Sequence, residues 1–290
     1  MSRTLSVCTL AGGREAHLAN LVRSLAHQTR RPDELVIAHL QPQPYRDLPQ
    51  APFAIRQVPA YQPAMALARA RNRCAGAARG DVLVFLDVDC VAAPDMLAGY
   101  LAALRPGLCA MGETRYLGGA DDAGRRDFAR LWSAAERHPA RAFPDPDPDP
   151  ALCLDDHGEF WSLSFALHRE TFLTCGGFDE SFVGYGGEDT DFAMALRDAD
   201  VQLAFVPGAR AVHQWHEVEK PPLRHLSSIV RNANLFRAKH GRWCMDYWLG
   251  QLEDAGFIRT AECDSFVEIL REPTAAERRA ARQGPEVRFS

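Results

Sequence analysis

Two carboxylate clusters lie about a hundred residues apart in this chain. In FLDVDCVAAP, Asp87 and Asp89 close a run made almost wholly of apolar residues. In GYGGEDTDF, three glycines precede Glu188, Asp189 and Asp191, and the helix-like AMALRDA follows. Alternation along an extended backbone puts Asp87 and Asp89 on one side. Acids at the carboxyl end of a strand in an open α/β sheet can hold a cation together with bound phosphates. They read equally as solvated loop acids. The second cluster also has a plain explanation: acids in the first turn of a helix interact with its positive end by about 0.3–1 kcal/mol each, and glycines supply the turn before it. Downstream, AVHQWH places His213 and His216 at the end of another apolar run. Imidazole with carboxylate suits a borderline ion such as Mn²⁺, whereas carboxylate alone suits Mg²⁺.

Positioning such groups requires a frame, and the N-terminal ninety residues alternate strand-like and helix-like segments. TLSVCTL reads as a strand, REAHLANLVRSLAHQ as a helix with Leu18, Leu21, Val22 and Leu25 on one face, and ELVIAHL as a second strand. A weaker strand spans Phe53–Val58, then PAMALARARNRCAGAARG is helix-like and ends at Gly80, before the buried strand DVLVFLD. This alternation predicts an α/β domain with a mainly parallel sheet. APDMLAGYLAALR continues as a helix with Pro94 near its first turn, and LCAMGETRYL as a strand. The Pro/Asp alternation at 143–150 favours extended, polyproline-like backbone and reads as a linker or surface loop. EFWSLSFALHRETFLTCGGF gives strand, helix start and glycine turn, and a strand pair is expected around VQLAFVP and ARAVHQW. Beyond Pro221 the pattern is helical, which divides the chain into 1–220 and a helical extension over 221–290, whose last stretch is polar enough to fray or to pack only when partnered.

Composition narrows the function classes. A chain of 290 residues, 47% hydrophobic and with a net charge of −5, has the make-up of a globular protein and gives no reason to expect nucleic-acid binding, a local basic patch being left open. No apolar run reaches the ~18 residues a membrane span needs. Eight cysteines without a C-x-x-C pair fit reduced, buried thiols rather than zinc. The expectation is a cytoplasmic protein, with peripheral membrane contact and a homo-oligomer left open.

The order ARNRCAGAARGDVLVFLDVDC, GGFDESFVGYGGEDTDFAMALR, AVHQWH resembles the family-2 glycosyltransferases of GT-A fold, with a C-terminal half similar to the β-1,4-galactosyltransferase type. The resemblance implies a mainly parallel central sheet flanked by helices, with a C-terminal helical appendage. It also implies a metal-dependent, inverting transfer of a hexose from a nucleotide-sugar, a UDP-sugar first, to an acceptor hydroxyl. Asp89 and His213 are then the metal ligands, with His216 as the alternative, for Mn²⁺ or Mg²⁺. Asp87 contacts the donor, and Asp189 is the catalytic base. Glu188, Trp161, Tyr185 and Gly187 serve the acceptor and the sugar. Thr9, Ala11, Arg14, Arg69 and Asn72 fall where the family contacts the nucleotide. After the second strand, where the family commonly carries aspartates, this chain has His39 and Gln41. Two rivals are a nucleotidyltransferase, for which TLAGGRE is too sparse in cations, and a non-catalytic carbohydrate-binding protein of the same shape.

Overall fold

The computed structural model describes residues 3–124, 127–140, 151–261 and 265–289. In chain order the elements are β1 (Leu5–Ala11), α1 (Glu15–Ala26), β2 (Glu34–His39), β3 (Ala54–Pro59), α2 (Leu67–Ala77), β4 (Val82–Leu86), β5 (Cys90–Ala92), α3 (Met96–Ala103) and β6 (Leu108–Tyr116). They continue as α4 (Phe128–Ala134), β7 (Glu136–Arg137), β8 (Leu152–Leu154), β9 (Ser164–His168), α5 (Arg169–Thr174), α6 (Glu188–Asp198) and β10 (Gln202–His213). The last are α7 (Leu226–His240), α8 (Asp246–Asp254), β11 (Ile258–Thr260), β12 (Val267–Ile269) and α9 (Ala275–Ala281).

One mixed sheet organises the molecule, in the order β3-β2-β1-β4-β9-β6-β10-β5. Its first four strands are parallel, as the strand–helix alternation predicts. Beyond them β9 runs antiparallel to both β4 and β6, and β6 is parallel to β10. The sheet is apolar on both faces because helices cover both. On one side Leu5, Val7, Val82 and Val84 pack with Leu18 and Leu25 of α1 and Met96 and Tyr100 of α3. On the other, Cys8, Leu83 and Phe85 meet Ala68 and Cys74 of α2 and Phe192 and Leu196 of α6. Burial on both faces accounts for the unbroken apolar run of β4, since neither face may be polar.

Three expectations change. The strand pair around VQLAFVP and ARAVHQW is one long strand, β10, whose register against β6 shifts between Val206 and Arg210, where Pro207 lacks an amide hydrogen to donate to the ladder. The extension is not purely helical: β11 and β12 form a small antiparallel sheet packed with α7 and α8 around Leu226, Ile229, Leu252 and Phe257. Nor does its last stretch fray. Thr274 and Glu277 form a reciprocal cap at the start of α9, and the following residues return to the main domain, where Val287 O accepts from Trp215 Nε1 at 3.0 Å and Pro285 O from Gly119 N at 2.7 Å. The Pro/Asp segment 143–150 lies outside the described residues. Among those residues no helix is long and apolar enough to cross a membrane.

Candidate active site

The backbone brings the two acidic clusters and the histidines together. After β4 the chain turns at Asp87, whose carbonyl accepts from Cys90 N at 2.9 Å, and β5 then pairs antiparallel with the end of β10, setting Cys90 opposite His213. Gln214 N donates to Asp89 O at 2.6 Å, so the histidine segment is tied directly to the D-x-D turn. Asp89 is buried, and one donor atom from each of Asp89, His213 and His216 lies within 4.8 Å of the others. Asp89 Oδ2 stands 3.8 Å from His216 Nε2, while Oδ1 meets Arg14 at 2.6 Å and His17 Nδ1 at 2.5 Å.

Burial alone would raise the Asp89 carboxyl, but the His17 hydrogen bond and the charges of His213, Arg14 and His216 hold it well below the usual range. Burial pushes His213 down to about 4, against the pull of Asp89, and lowers His216 as well. A charged carboxylate and two neutral imidazoles at neutral pH form a donor set that fits a borderline divalent cation. These residues therefore fit the metal that the resemblance implies, with both histidines available.

The glycines of GYGGEDTDF are required by crowding and by conformation. Gly184, Gly186 and Gly187 have φ of +91°, +91° and +86°. A Cβ on Gly184 would lie 2.2 Å from Ser228 Cβ, and one on Gly186 2.4 Å from Met245 Sδ. The turn starts α6, whose first residues are Glu188 and Asp189. Glu188 is buried and bonded at 3.0 Å to Arg71, which is buried as well, donates to Ser162 Oγ at 2.8 Å and lies 4.9 Å over the Phe178 ring. Burial and then the Asp189 charge raise the Glu188 carboxyl, with Arg71 opposing them. Asp189 is half-buried and accepts from Thr190 N at 2.8 Å. Asp191, one turn surface away, is buried against Lys239 at 2.8 Å and His240 at 2.7 Å of α7.

One group reports that these acids share a site. Burial lifts the Asp87 carboxyl to about 7 against the Arg71 charge, and Asp89, Glu188 and Asp189 all push it further up. Asp87 thus stands in the field of both clusters.

The remaining expected residues divide. Arg14, left-handed at the start of α1 with φ of 57°, reaches Asp89. Tyr185 stacks on His225 and Trp248, and the charges of Glu188, Asp189 and Asp87 add to burial in raising its phenol. Trp161 lines a cavity of about 40 Å³ with Thr114, Tyr116 and His138. Thr9 is wholly buried in β1 with a hydroxyl that has no hydrogen-bond partner among the described residues, and the Ala11 carbonyl accepts from Leu40 N at 2.7 Å. Arg69 donates to Gln62 at 3.1 Å. The Asn72 amide is spent on the GGFDE turn: it donates to Phe178 O and Glu180 and accepts from Phe178 N, so the structure gives it a bracing place. Gln41, where an aspartate might stand, accepts from Gly13 N at 2.9 Å and braces the β1–α1 loop, as His39 does through Gln41 O.

Sequence reasoning missed His17 and Arg71. For Arg71 a signal existed, because it falls at the spacing of Ala68, Cys74 and Ala75 on the buried face of α2. For His17 the signal was weaker, three residues after Arg14 in the first turn of α1.

Comparison with known proteins agrees with this arrangement. Residues 47–106, which hold the D-x-D, match the model of glycosyltransferase like family 2, and residues 153–220, which hold GYGGEDTDF and both histidines, match that of the N-terminal domain of galactosyltransferase. Validoxylamine A glucosyltransferase of Streptomyces hygroscopicus subsp. jinggangensis is 31% identical over 81 residues, 28% of this chain. That match spans only 19% of the length of the relative. Among solved structures, TarS 1-349 of S. aureus with UDP-GlcNAc superposes with a TM-score of 0.56 at 14% identity, over 81% of this chain and 65% of that one. GalNAc-T7 with UDP, GalNAc and Mn²⁺ gives 0.53 at 18%, over 74% and 43%. The mannosyltransferase PcManGT of Pyrobaculum calidifontis, with GDP-Man and Mn²⁺, gives 0.51 at 16%, over 88% and 70%. At such identities the superpositions carry the fold alone, that of GT-A glycosyltransferases, while the two matched segments make residues 47–106 similar to family-2 glycosyltransferases and residues 153–220 similar to galactosyltransferases.

Proposed function

We propose that this protein transfers a hexose from a nucleotide-sugar, UDP-linked, to an acceptor hydroxyl with inversion at the anomeric carbon. The observation that carries the reading is the meeting of the D-x-D turn, the Glu-Asp helix start and the histidine pair around Asp87. Nucleotide-sugars or their parts accompany the structural neighbours, with UDP, UDP-GlcNAc and GDP-Man among them, which supports a nucleoside-diphosphate donor. UDP is chosen because two of these three carry it.

Asp89, His213 and His216 would hold a divalent cation, Mn²⁺ in preference to Mg²⁺ given two imidazoles. Bound there, it supplies Lewis-acid neutralisation of the charge that builds on a departing diphosphate. The chain's own residues do the rest. Arg14 adds a cation on the same side. Asp189 is the half-buried carboxylate without a basic partner in its hydrogen bonding, so it is the one left to accept the proton of the attacking hydroxyl. Glu188 is pinned by Arg71 and orients the acceptor rather than exchanging protons with it. Asp87 faces the donor between the two clusters. A single base and one displacement give inversion.

Calorimetry and product analysis test this. The native protein should bind UDP only with Mn²⁺ present, and Asp89→Ala should weaken that metal-dependent binding. Asp189→Asn should retain donor binding and lose transfer by about 10² or more, the usual worth of a general base. Undiminished transfer by Asp189→Asn would sink the assignment, and pyrophosphate release from a nucleoside triphosphate would favour a nucleotidyltransferase instead.

A further inference from the structure

The turn that carries the proposed base is held from outside the main domain. Ser228 Oγ accepts from Tyr185 N at 3.1 Å, Asn232 donates to Gly186 O at 2.8 Å, and Arg231 donates to Ser181 O at 2.9 Å, all from α7. On the other side of the turn, Gly184 N donates to Met65 O at 2.6 Å, so the turn is clasped between the β3–α2 connection and the extension. As Lys239 and His240 do through Asp191, Tyr185 links the extension to the turn. Its ring stacks on His225 at 4.5 Å and 21° and on Trp248 at 5.3 Å and 29°. Trp248 also sits 3.3 Å from where a Cβ on Gly186 would stand, and Met245 closer still. The phenol, meanwhile, lies in the field of Glu188, Asp189 and Asp87.

We propose that His225 and Trp248 are positioning residues, which fix the Tyr185 ring beside Glu188 and Asp189 and thereby set how an acceptor ring is seated for transfer. Two near-parallel neighbours leave the phenol little freedom to rotate out of plane. With two rings stacked on it, the phenol would meet an acceptor through its edge and hydroxyl. The extension is then part of the acceptor site, and not a passive appendage. This inference rests on the glycosyltransferase reading.

The test compares Trp248→Ala, Trp248→Phe and His225→Ala, with Tyr247→Ala as a control on the exposed face of the same helix. Trp248→Ala should raise the acceptor KM and lower kcat/KM by about tenfold or more, as small misplacements at a reacting centre do. UDP binding with Mn²⁺ should stay as in the native protein, Trp248→Phe should recover most of the loss, and Tyr247→Ala should change nothing. Amide exchange over residues 184–189 should speed up in Trp248→Ala, independently of any turnover. Unaltered acceptor kinetics in Trp248→Ala overturn the proposal, as does parallel loss of UDP binding, which would mark a general collapse. If the native protein transfers no sugar, the functional reading fails, and the exchange rates still decide whether Trp248 holds the turn: unchanged exchange overturns that role.

Discussion

The two acidic clusters look alike in sequence and are handled in opposite ways. At the GYGGEDTDF turn, two of the three acids meet basic side chains: Glu188 the buried Arg71 from α2, and Asp191 both Lys239 and His240 from α7. Only Asp189 keeps a carboxylate whose hydrogen bond comes from a backbone amide. At the D-x-D turn the compensation is uneven in another sense. Asp89 collects Arg14, His17 and the histidine pair, and Asp87 is left with the distant pull of Arg71 against three other acids. Within the GYGGEDTDF turn, charge pairing rather than proximity separates Asp191, which ties α6 to α7, from Asp189, which is left to meet a ligand. An uncompensated carboxylate in a partly dry site costs stability, and a bound ligand can recover it.

That contrast predicts substitutions of opposite sign. The largest effect should come from Arg71→Met, which removes the cation and leaves Glu188 buried alone; about 3–5 kcal/mol should be lost at pH 8 in denaturant unfolding, the usual cost of breaking a buried pair from one side. The loss should shrink as pH falls and Glu188 takes up a proton. An equal loss at pH 5 and pH 8 would contradict a charge-based cause.

Asp87→Asn should act the other way in metal-free protein. Its folded value of about 7 lies above the unfolded one, so its contribution favours folding below pH 4 and is lost as pH rises through 7. The amide removes that penalty. Stability should therefore rise relative to the native chain at pH 8, by up to about 4 kcal/mol and less where solvent screens the open side, and the difference should vanish near pH 4. The smallest effect belongs to Asp191→Asn. It should cost about 1–3 kcal/mol at pH 7 through the lost carboxylate bonds to Lys239 and His240, while acceptor KM changes little. Thermal unfolding in chelator, run on all three variants, orders them.

Much of this was legible beforehand for definite reasons. β4 could be read because a strand buried on both faces admits only apolar residues, and α1 because Leu18, Leu21, Val22 and Leu25 repeat at helical spacing. Asp87, Asp89, His213 and Asp189 were singled out by the resemblance of FLDVDC, GYGGEDTDF and AVHQWH to the family's motifs, since by residue type alone they read equally as solvated or helix-start groups. Arg71 and His17 lie outside those motifs, and only the buried-face spacing of α2 pointed to Arg71. β10 was divided in two because Pro207 and Gly208 look like a turn, yet pairing with β6 and β5 on either side of the register shift keeps it one strand.

The sequence by itself determined the elements, the apolar faces and the inventory of charged groups, because these depend on local periodicity and composition. Only the tertiary structure decided which charges meet. Antiparallel pairing of β5 with β10 sets His213 opposite Cys90, α2 turns Arg71 toward Glu188, and α7 brings Lys239 and His240 to Asp191. Coulomb energies depend on distance and burial in space and not on separation along the chain, so four similar aspartates and a glutamate acquire their separate roles only once the fold has closed around them.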